Sequence, residues 1–485
     1  MAYRAFLKDT AIYGIAAILP RIIHLALVAV YTMVLGRVDF SDQTTWYVYA
    51  AFINVALTMG IETSFFRYYT GAEDKNKVVS SSFFIHLVTS CLFLLSGLAL
   101  AGKINEFLGF SDPDFIRILV TITVLDTMVV IPFALLRVNG RPVRYLTVKM
   151  INILVLFAAN VFFLLIIPWV LKNDPALAEN VGIGSGFKPG VKHIIIANLI
   201  ASLVTMILMM PEVLKIDWKP DRALTLKLLR YGWPIMVGGI AYAVNENVDK
   251  LLIQKLMDKE SNGVYAACYK LGVFMTLYIT AFRLGAEPFF FRHAASSDAR
   301  EKYSTIMTWF VILGCLFMLF VTGFIDLLAS LFLRNKVYTA GLYIVPVILL
   351  ANLFSGIYAN LSIWYKLTDR TRAGMYISIF GGILTIISLY VFVPPFGLMG
   401  GAIATLGTYF SMTMISYLFG RKYYPVPYEG RRIMFLIITS AALSGLSFLK
   451  FRGNYLISVL LLITMCLIIL VMERARVKAL ITGKT

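Results

Sequence analysis

Hydrophobic residues dominate this chain in long runs broken by short polar stretches. Windows of about 19 residues predict helices near 11–36, 45–66, 80–101, 115–136, 148–171, 192–214, 231–256, 263–290, 304–333, 339–366, 374–393, 397–419, 432–449 and 455–472. Each run is long enough to cross about 30 Å of hydrocarbon. The pattern therefore predicts an all-α integral membrane protein with about 14 transmembrane helices.

One run departs from the others. Tyr231 to Gln254 is apolar at both ends but carries Asn245, Glu246, Asn247, Asp249 and Lys250. A charge facing lipid at the bilayer centre costs about 2.5–3.5 kcal/mol. Glu246, Asp249 and Lys250 fall within about 100° of arc on a helix, and Tyr242, Gly239, Gly238 and Ile235 continue that stripe. Val237, Ile240, Val244, Val248 and Leu251 lie opposite, so the polar stripe is expected to face the protein interior or a water-filled cavity. A structural cluster in which Glu246 pairs with Lys250 at i, i+4 is the alternative.

Charge in the connections orients the chain. With an inside amino terminus, most of the 44 Lys and Arg fall in the even-numbered connections and the termini, including RVNGRPVR, DRTR and RKYYPVPYEGRR. Both termini are thus expected to be cytoplasmic. The longest apparent connection, Lys172 to Val191, is too short for a separate catalytic domain.

Two marks recur. Tyr13-Gly14 and Tyr231-Gly232 open helices one and seven, and Val48-Tyr49-Ala50-Ala51 and Val264-Tyr265-Ala266-Ala267 enter helices two and eight. The pairs lie about 218 and about 216 residues apart, and Phe66-Arg67 and Phe291-Arg292 close the two second helices. Six helices per repeat is an even number, so both repeats enter the membrane from one side. The expected domains are a six-helix lobe over 1–214, a second over 215–424, and two further helices with a tail over 425–485.

Composition agrees with a membrane chain and narrows its chemistry. Of 485 residues, 59% are hydrophobic and 14% charged, and the mean hydropathy is +0.81. The net charge of +18 is expected of cationic cytoplasmic loops rather than of a nucleic-acid partner. Cys91, Cys268, Cys315 and Cys466 lie in apolar segments, and the four histidines lack metal-ligand spacing, so neither a disulfide framework nor a metal site is expected. The first apolar run is too long for a cleavable signal peptide.

Ionisable residues inside the helices are the candidates for function. Arg21 lies about ten residues into helix one, with His24 at i+3 on the same face. A guanidinium at that depth keeps its proton and needs an anion, either a carboxylate such as Glu62 or Glu246 or a phosphate on a substrate. Lys270 and Arg283 on helix eight add two cations; the first can snorkel and the second can pair with Glu287. The substrate-binding candidates are Arg21, His24, Asn245, Lys250, Lys270 and Arg283. Asp126, mid-helix four, has no close partner in sequence, and an isolated buried carboxylate tends to hold its proton. It joins Glu62, Glu246 and Asp249 as a candidate for coupling to Na+ or H+. Glu62 is also placed to pair with Arg67.

No Walker A loop or nucleophile-and-base arrangement is present, so no catalytic residue is named. Asp39 with Asp42, and Asp112 with Asp114, are paired carboxylates of the kind a glycosyltransferase or polymerase would need, and they are read as turn and cap residues.

The segments GIAAILPRIIHLALVAVYTMVLG, MGIETSFFRYY, YGWPIMVGGIAYAVNENVDKLLIQKLMDKESNGVYAACYKLG, FRLGAEPFFFR and PPFGLMGGAIAT resemble the polysaccharide transporter family of oligosaccharide flippases. That family is grouped with MATE drug/cation antiporters and lipid II flippases. The resemblance implies a V-shaped, two-lobed transporter, not an enzyme. By alternating access it would move an undecaprenyl-pyrophosphate-linked oligosaccharide across the bacterial cytoplasmic (inner) membrane. It implies that Arg21 is the family's buried helix-one arginine and that Asp249-Lys250 is its acid-plus-base pair. The expected partners are the lipid-linked oligosaccharide, membrane lipid and polysaccharide assembly enzymes, with no cofactor beyond a coupling ion. A lipid II flippase or MATE-type antiporter is the alternative reading.

Overall fold

The computed structural model describes residues 19–176, 186–294, 296–368 and 370–481. Tyr13-Gly14, the start of predicted helix one and the middle of the Lys172–Val191 connection lie outside them, as do the side chains of Glu287, Phe291 and Arg292. The described regular elements are all helical.

Contacts divide the chain into two compact units, one ending at Gly263 and the other beginning at Val264. The first contains α1 (Leu19–Val34), α2 (Arg37–Thr58), α3 (Ile61–Thr70), α4 (Lys75–Ala99), α5 (Ala101–Leu108), α6 (Asp114–Met128) and α7 (Val130–Val138). It continues with α8 (Pro142–Val161), α9 (Ile167–Asn173), α10 (Val191–Val213) and α11 (Arg222–Leu256), and the division falls early in α12 (Lys259–Arg292). The second holds the rest of α12, then α13 (Ala299–Gly323), α14 (Ile325–Phe332), α15 (Val345–Leu361), α16 (Ile363–Leu367), α17 (Thr371–Phe396), α18 (Leu398–Tyr423), α19 (Gly430–Lys450) and α20 (Tyr455–Ile481).

Twelve described helices are long and apolar enough to cross a membrane. They correspond to twelve of the fourteen expected runs. The other two are α1 and the 35-residue α11, whose polar stripe lowers its hydropathy but not its length.

Breaks in these helices have local causes. Predicted helix four splits into α6 and α7 at Val129, because Pro132 has no N–H to offer the Met128 carbonyl. Predicted helix two splits into α2 and α3 where Met59 (φ 50°) and Gly60 (φ 66°) enter the left-handed region. Both residues meet α11 there, and Ser64 Oγ donates to the Leu228 carbonyl at 3.1 Å. Between α17 and α18, Gly397 (φ 54°) turns the chain at the end of the Pro-Pro-Phe-Gly segment, and Gly400 packs against the backbone at Phe392.

In the first unit, α11 packs on α2, α3 and α4, while α6, α8 and α10 pack on one another or on α2. The start of α2 is joined to the α11–α12 turn by buried polar groups. Gln254 Oε1 accepts from Thr45 (2.6 Å), Ser41 (3.1 Å) and Asn262 (3.3 Å), and Lys259 Nζ lies 2.7 Å from the Asp42 carboxylate. Asp42 is therefore not the helix-end residue expected of it: it sits inside α2, 1% exposed, as half of an ion pair. Asp112 does act in a turn, accepting from Asp114 N at 2.8 Å.

In the second unit, α18 packs on both α15 and α17, and α13 packs on α15, α19 and α20. Arg432 on α19 pairs with Glu473 on α20, whose carboxylate is 1% exposed.

Candidate functional site

Three helices of the first unit present residues, most of them polar, at helical spacing to one cavity of about 560 Å³. Helix α2 contributes Tyr47, Ala50, Asn54 and Thr58; α8 contributes Tyr145, Lys149, Asn152 and Leu156; α10 contributes Asn198, Ala201, Ser202 and Thr205. Each set repeats at about i, i+3 or i+4, i+7, so each faces one direction. Asp126 enters from the last turn of α6, just before the break at Val129; Glu62 enters from α3 and His24 from α1.

The cavity's polar atoms are held in place. Ser202 Oγ donates to Asp126 Oδ1 at 2.8 Å. Asn152 Nδ2 donates to Thr205 Oγ1 (2.8 Å) and to the Ala201 carbonyl (3.1 Å). Asn198 Nδ2 donates to Tyr47 OH and to the Ile194 carbonyl, each at 2.8 Å. Lys149 Nζ lies 4.4 Å from the centroid of the Phe133 ring, a cation–π arrangement. It is within Coulombic reach of Asp126 and Glu62, yet no oxygen of either lies within 4.0 Å. A cation and an anion thus face one cavity without closing into a pair.

The expected site residues fall into three groups. His24, Glu62 and Asp126 come together at this cavity. Arg21 lies one turn from His24 on the same face of α1, and both side chains are exposed. Glu62 pairs with Arg137 at 2.8 Å rather than with Arg67, whose guanidinium lies 4.8 Å from the centre of the Tyr231 ring.

Helix α11 carries the second group. Asn245, Asp249 and Lys250 are buried and Glu246 is half-buried. Lys250 Nζ donates to Asp249 Oδ1 (2.8 Å), Asp249 Oδ2 (3.0 Å) and the backbone carbonyl of Glu246 (2.8 Å). The acid and base adjacent in sequence therefore neutralise each other inside the protein. Lys270, half-buried, and Arg283, exposed, belong to the second unit, where Arg283 is within Coulombic reach of Tyr365.

Lys149, Asn152, Asn198 and Ser202 are absent from the sequence-derived candidates. Their signal was the one used for α11: polar residues at i, i+4, i+7 inside an apolar run. Lys149 lies close enough to the start of its run to be taken for a loop charge.

Residues 6–293, which span all the cavity-lining helices, match the family described as polysaccharide biosynthesis protein. The chain belongs to this family. A second family, MatE, matches residues 234–391. An uncharacterized membrane protein of Methanocaldococcus jannaschii is 26% identical over 194 residues, covering 39% of this chain and 45% of that protein. The chain thus matches less than half the length of that relative.

Among solved structures, the lipid II flippase MurJ in an inward closed conformation superposes with a TM-score of 0.68 at 16% identity, covering 96% of this chain and 99% of that one. An inward-facing multidrug resistance MATE family transporter of the MOP superfamily superposes with a TM-score of 0.67 at 15% identity, covering 87% and 96%. At these identities the likeness is one of fold. In this chain the polar cavity is lined by helices of the first unit.

Proposed function

We propose that this chain is a flippase that moves a polyprenyl-pyrophosphate-linked oligosaccharide across the bacterial cytoplasmic membrane by alternating access. The observation that carries the reading is the polar cavity inside an apolar bundle. Burying unpaired polar groups among membrane helices is costly, so such a chamber serves a polar solute rather than the fold. Membership of a polysaccharide biosynthesis family supports a glycan as that solute, and the fold's likeness to a lipid II flippase supports a lipid-linked one.

In this reading Arg21 takes the pyrophosphate, because a guanidinium matches phosphate oxygens two at a time and its neighbour His24 already lines the cavity. Lys250, Lys270 and Arg283 are the additional cations. Asp249 already holds Lys250, so it competes with the phosphate and favours release. Asp126 is the acid best suited to exchange a proton or Na+, since a single serine hydroxyl is its hydrogen-bond partner while Glu62 is tied to Arg137. Both termini are cytoplasmic, and the partners are membrane lipid and polysaccharide assembly enzymes. The second reading is a small-molecule antiporter, which the match to the MatE family over 234–391 favours.

The test is flipping in proteoliposomes. A labelled undecaprenyl-pyrophosphate oligosaccharide is supplied with a membrane-impermeant glycosidase outside, and wild type is compared with Arg21→Ala. Wild type is expected to clear the protected pool and Arg21→Ala to retain it. Equal clearance by both would remove Arg21 from the site. No clearance by folded wild type, with or without an ion gradient, would overturn the flippase reading.

A further inference from the structure

We infer that the first-unit cavity is a sugar subsite, which takes a neutral polyhydroxyl unit of the glycan rather than its phosphates. The inference rests on the flippase reading and assigns to the cavity one part of that substrate.

Charge separates the two parts of the ligand. The Glu62 charge is offset by Arg137, and Asp126 and Lys149 oppose each other across the cavity. These charges balance, so the cavity offers a pyrophosphate no surplus of positive charge to offset its own. A neutral ligand needs no such surplus.

Hydrogen-bond direction makes the second argument. Asn152 and Asn198 both use their amide N–H groups on the protein, and their carbonyl oxygens make no hydrogen bond among the described residues. Asp126 uses one oxygen on Ser202 and keeps the other. These are acceptors waiting for donors, and hydroxyl groups are donors. Lys149 makes no hydrogen bond among the described residues and supplies N–H groups for hydroxyl or ring oxygens. A polyhydroxyl ligand can satisfy both sides at once, bridging a cation and an anion that do not reach each other.

Shape agrees. About 560 Å³ falls within the range of small-molecule pockets, about 300–1,000 Å³, and the lining sets the rings of Trp46, Tyr47, Phe133 and Tyr145 among the polar groups. Tyr47 and Tyr145 both line the cavity, and aromatic side chains are residues on which the C–H faces of a sugar can pack.

The experiment measures binding to the full-length chain in detergent. The ligands are a polyprenyl pyrophosphate without sugar, the same lipid bearing one glucose, galactose or N-acetylglucosamine, and the matching free methyl glycosides. The readout is the ratio of affinities, glycosylated over bare lipid. Wild type is expected to bind at least one glycosylated lipid about tenfold more tightly than the bare one, the effect of one or two net hydrogen bonds. In Asn152→Leu and in Lys149→Met the ratio is expected to fall to near one. Lys149 lies over the Phe133 ring and closes no ion pair with Asp126 or Glu62, so Lys149→Met removes no such pair and keeps the test valid should Asn152→Leu misfold.

A wild-type ratio of one, or a ratio unchanged in the folded variants, would overturn the sugar subsite. Equal weakening of bare and glycosylated lipid would mean that the cavity holds phosphate. Methyl glycosides binding as tightly as the glycosylated lipid would assign the cavity to free sugar. If wild type binds none of the lipids, the flippase reading fails and the subsite fails with it; the other outcomes leave that reading standing.

Discussion

Gly60 and Gly232 meet backbone to backbone. A Cβ on Gly232 would lie 2.5 Å from the carbonyl oxygen of Met59, and one on Gly60 would lie 2.6 Å from the carbonyl oxygen of Gly232. The break between α2 and α3 thus receives the start of α11 at a distance that only two glycines allow, and Gly60 also needs its positive φ. This contact fixes the helix that carries Asp249 and Lys250 against the helix that carries the cavity face from Tyr47 to Thr58.

Gly60→Ala and Gly232→Ala are each expected to destabilise the protein by about 1–3 kcal/mol, from overpacking at both sites and backbone strain at the first. Gly102→Ala, which meets no atom within 4 Å and lies in α5, is the control and is expected to be neutral or to stabilise by up to about 1 kcal/mol. Thermal unfolding in detergent measures the difference. A Gly232→Ala variant as stable as the control would show that the two helices separate freely.

Asp42 and Lys259 form the second testable pair. Asp42 is 1% exposed while the Lys259 side chain is 30% exposed, so losing the lysine strands a buried carboxylate. Lys259→Met is expected to cost about 3 kcal/mol, near the low end for breaking a buried pair because the lysine is partly solvated. The double variant Asp42→Asn with Lys259→Met is expected to recover part of that loss. A double-mutant cycle with no coupling energy would contradict the pairing.

Asp126→Asn keeps an oxygen for the Ser202 hydroxyl and removes the charge. Under the proposed coupling role, it is expected to reduce stimulation of flipping by an ion gradient about 5- to 150-fold, the usual range for coupling of about 1–3 kcal/mol. The thermal midpoint should change little. Glu62→Gln, which frees Arg137, is expected to shift stability more than gradient dependence. Full stimulation in Asp126→Asn would assign coupling elsewhere.

Helices were legible from the residues alone, because each must bury an apolar run in lipid and that requirement is written in consecutive positions. Even α11, too polar for a hydropathy measure, was legible from its length and the single arc of its charged residues. Its pairing was less so. The i, i+4 spacing of Glu246 and Lys250 suggested a side-chain pair along the helix; Lys250 does bond to residue 246, but at its backbone carbonyl, and also reaches the carboxylate of the neighbouring Asp249. Spacing ranks side chains by angle, but a lysine stem is long enough to override that ranking.

The cavity was decided by tertiary structure. Asp126, Lys149, Asn152 and Asn198 lie on three helices and appear in sequence as isolated polar residues, each unfavourable where it stands. What makes them a site is that Pro132 ends α6 beside Asp126 and that α8 and α10 pack with their polar faces toward α2. The same holds for Glu62, whose nearest arginine in sequence is Arg67 but whose partner is Arg137 from α7. Hydrophobic length and helical period are local properties, so the chain by itself determined an all-helical membrane protein and which helix faces are polar. Which faces meet depends on side-chain volumes and backbone approaches between distant segments, and only the packed structure determines that.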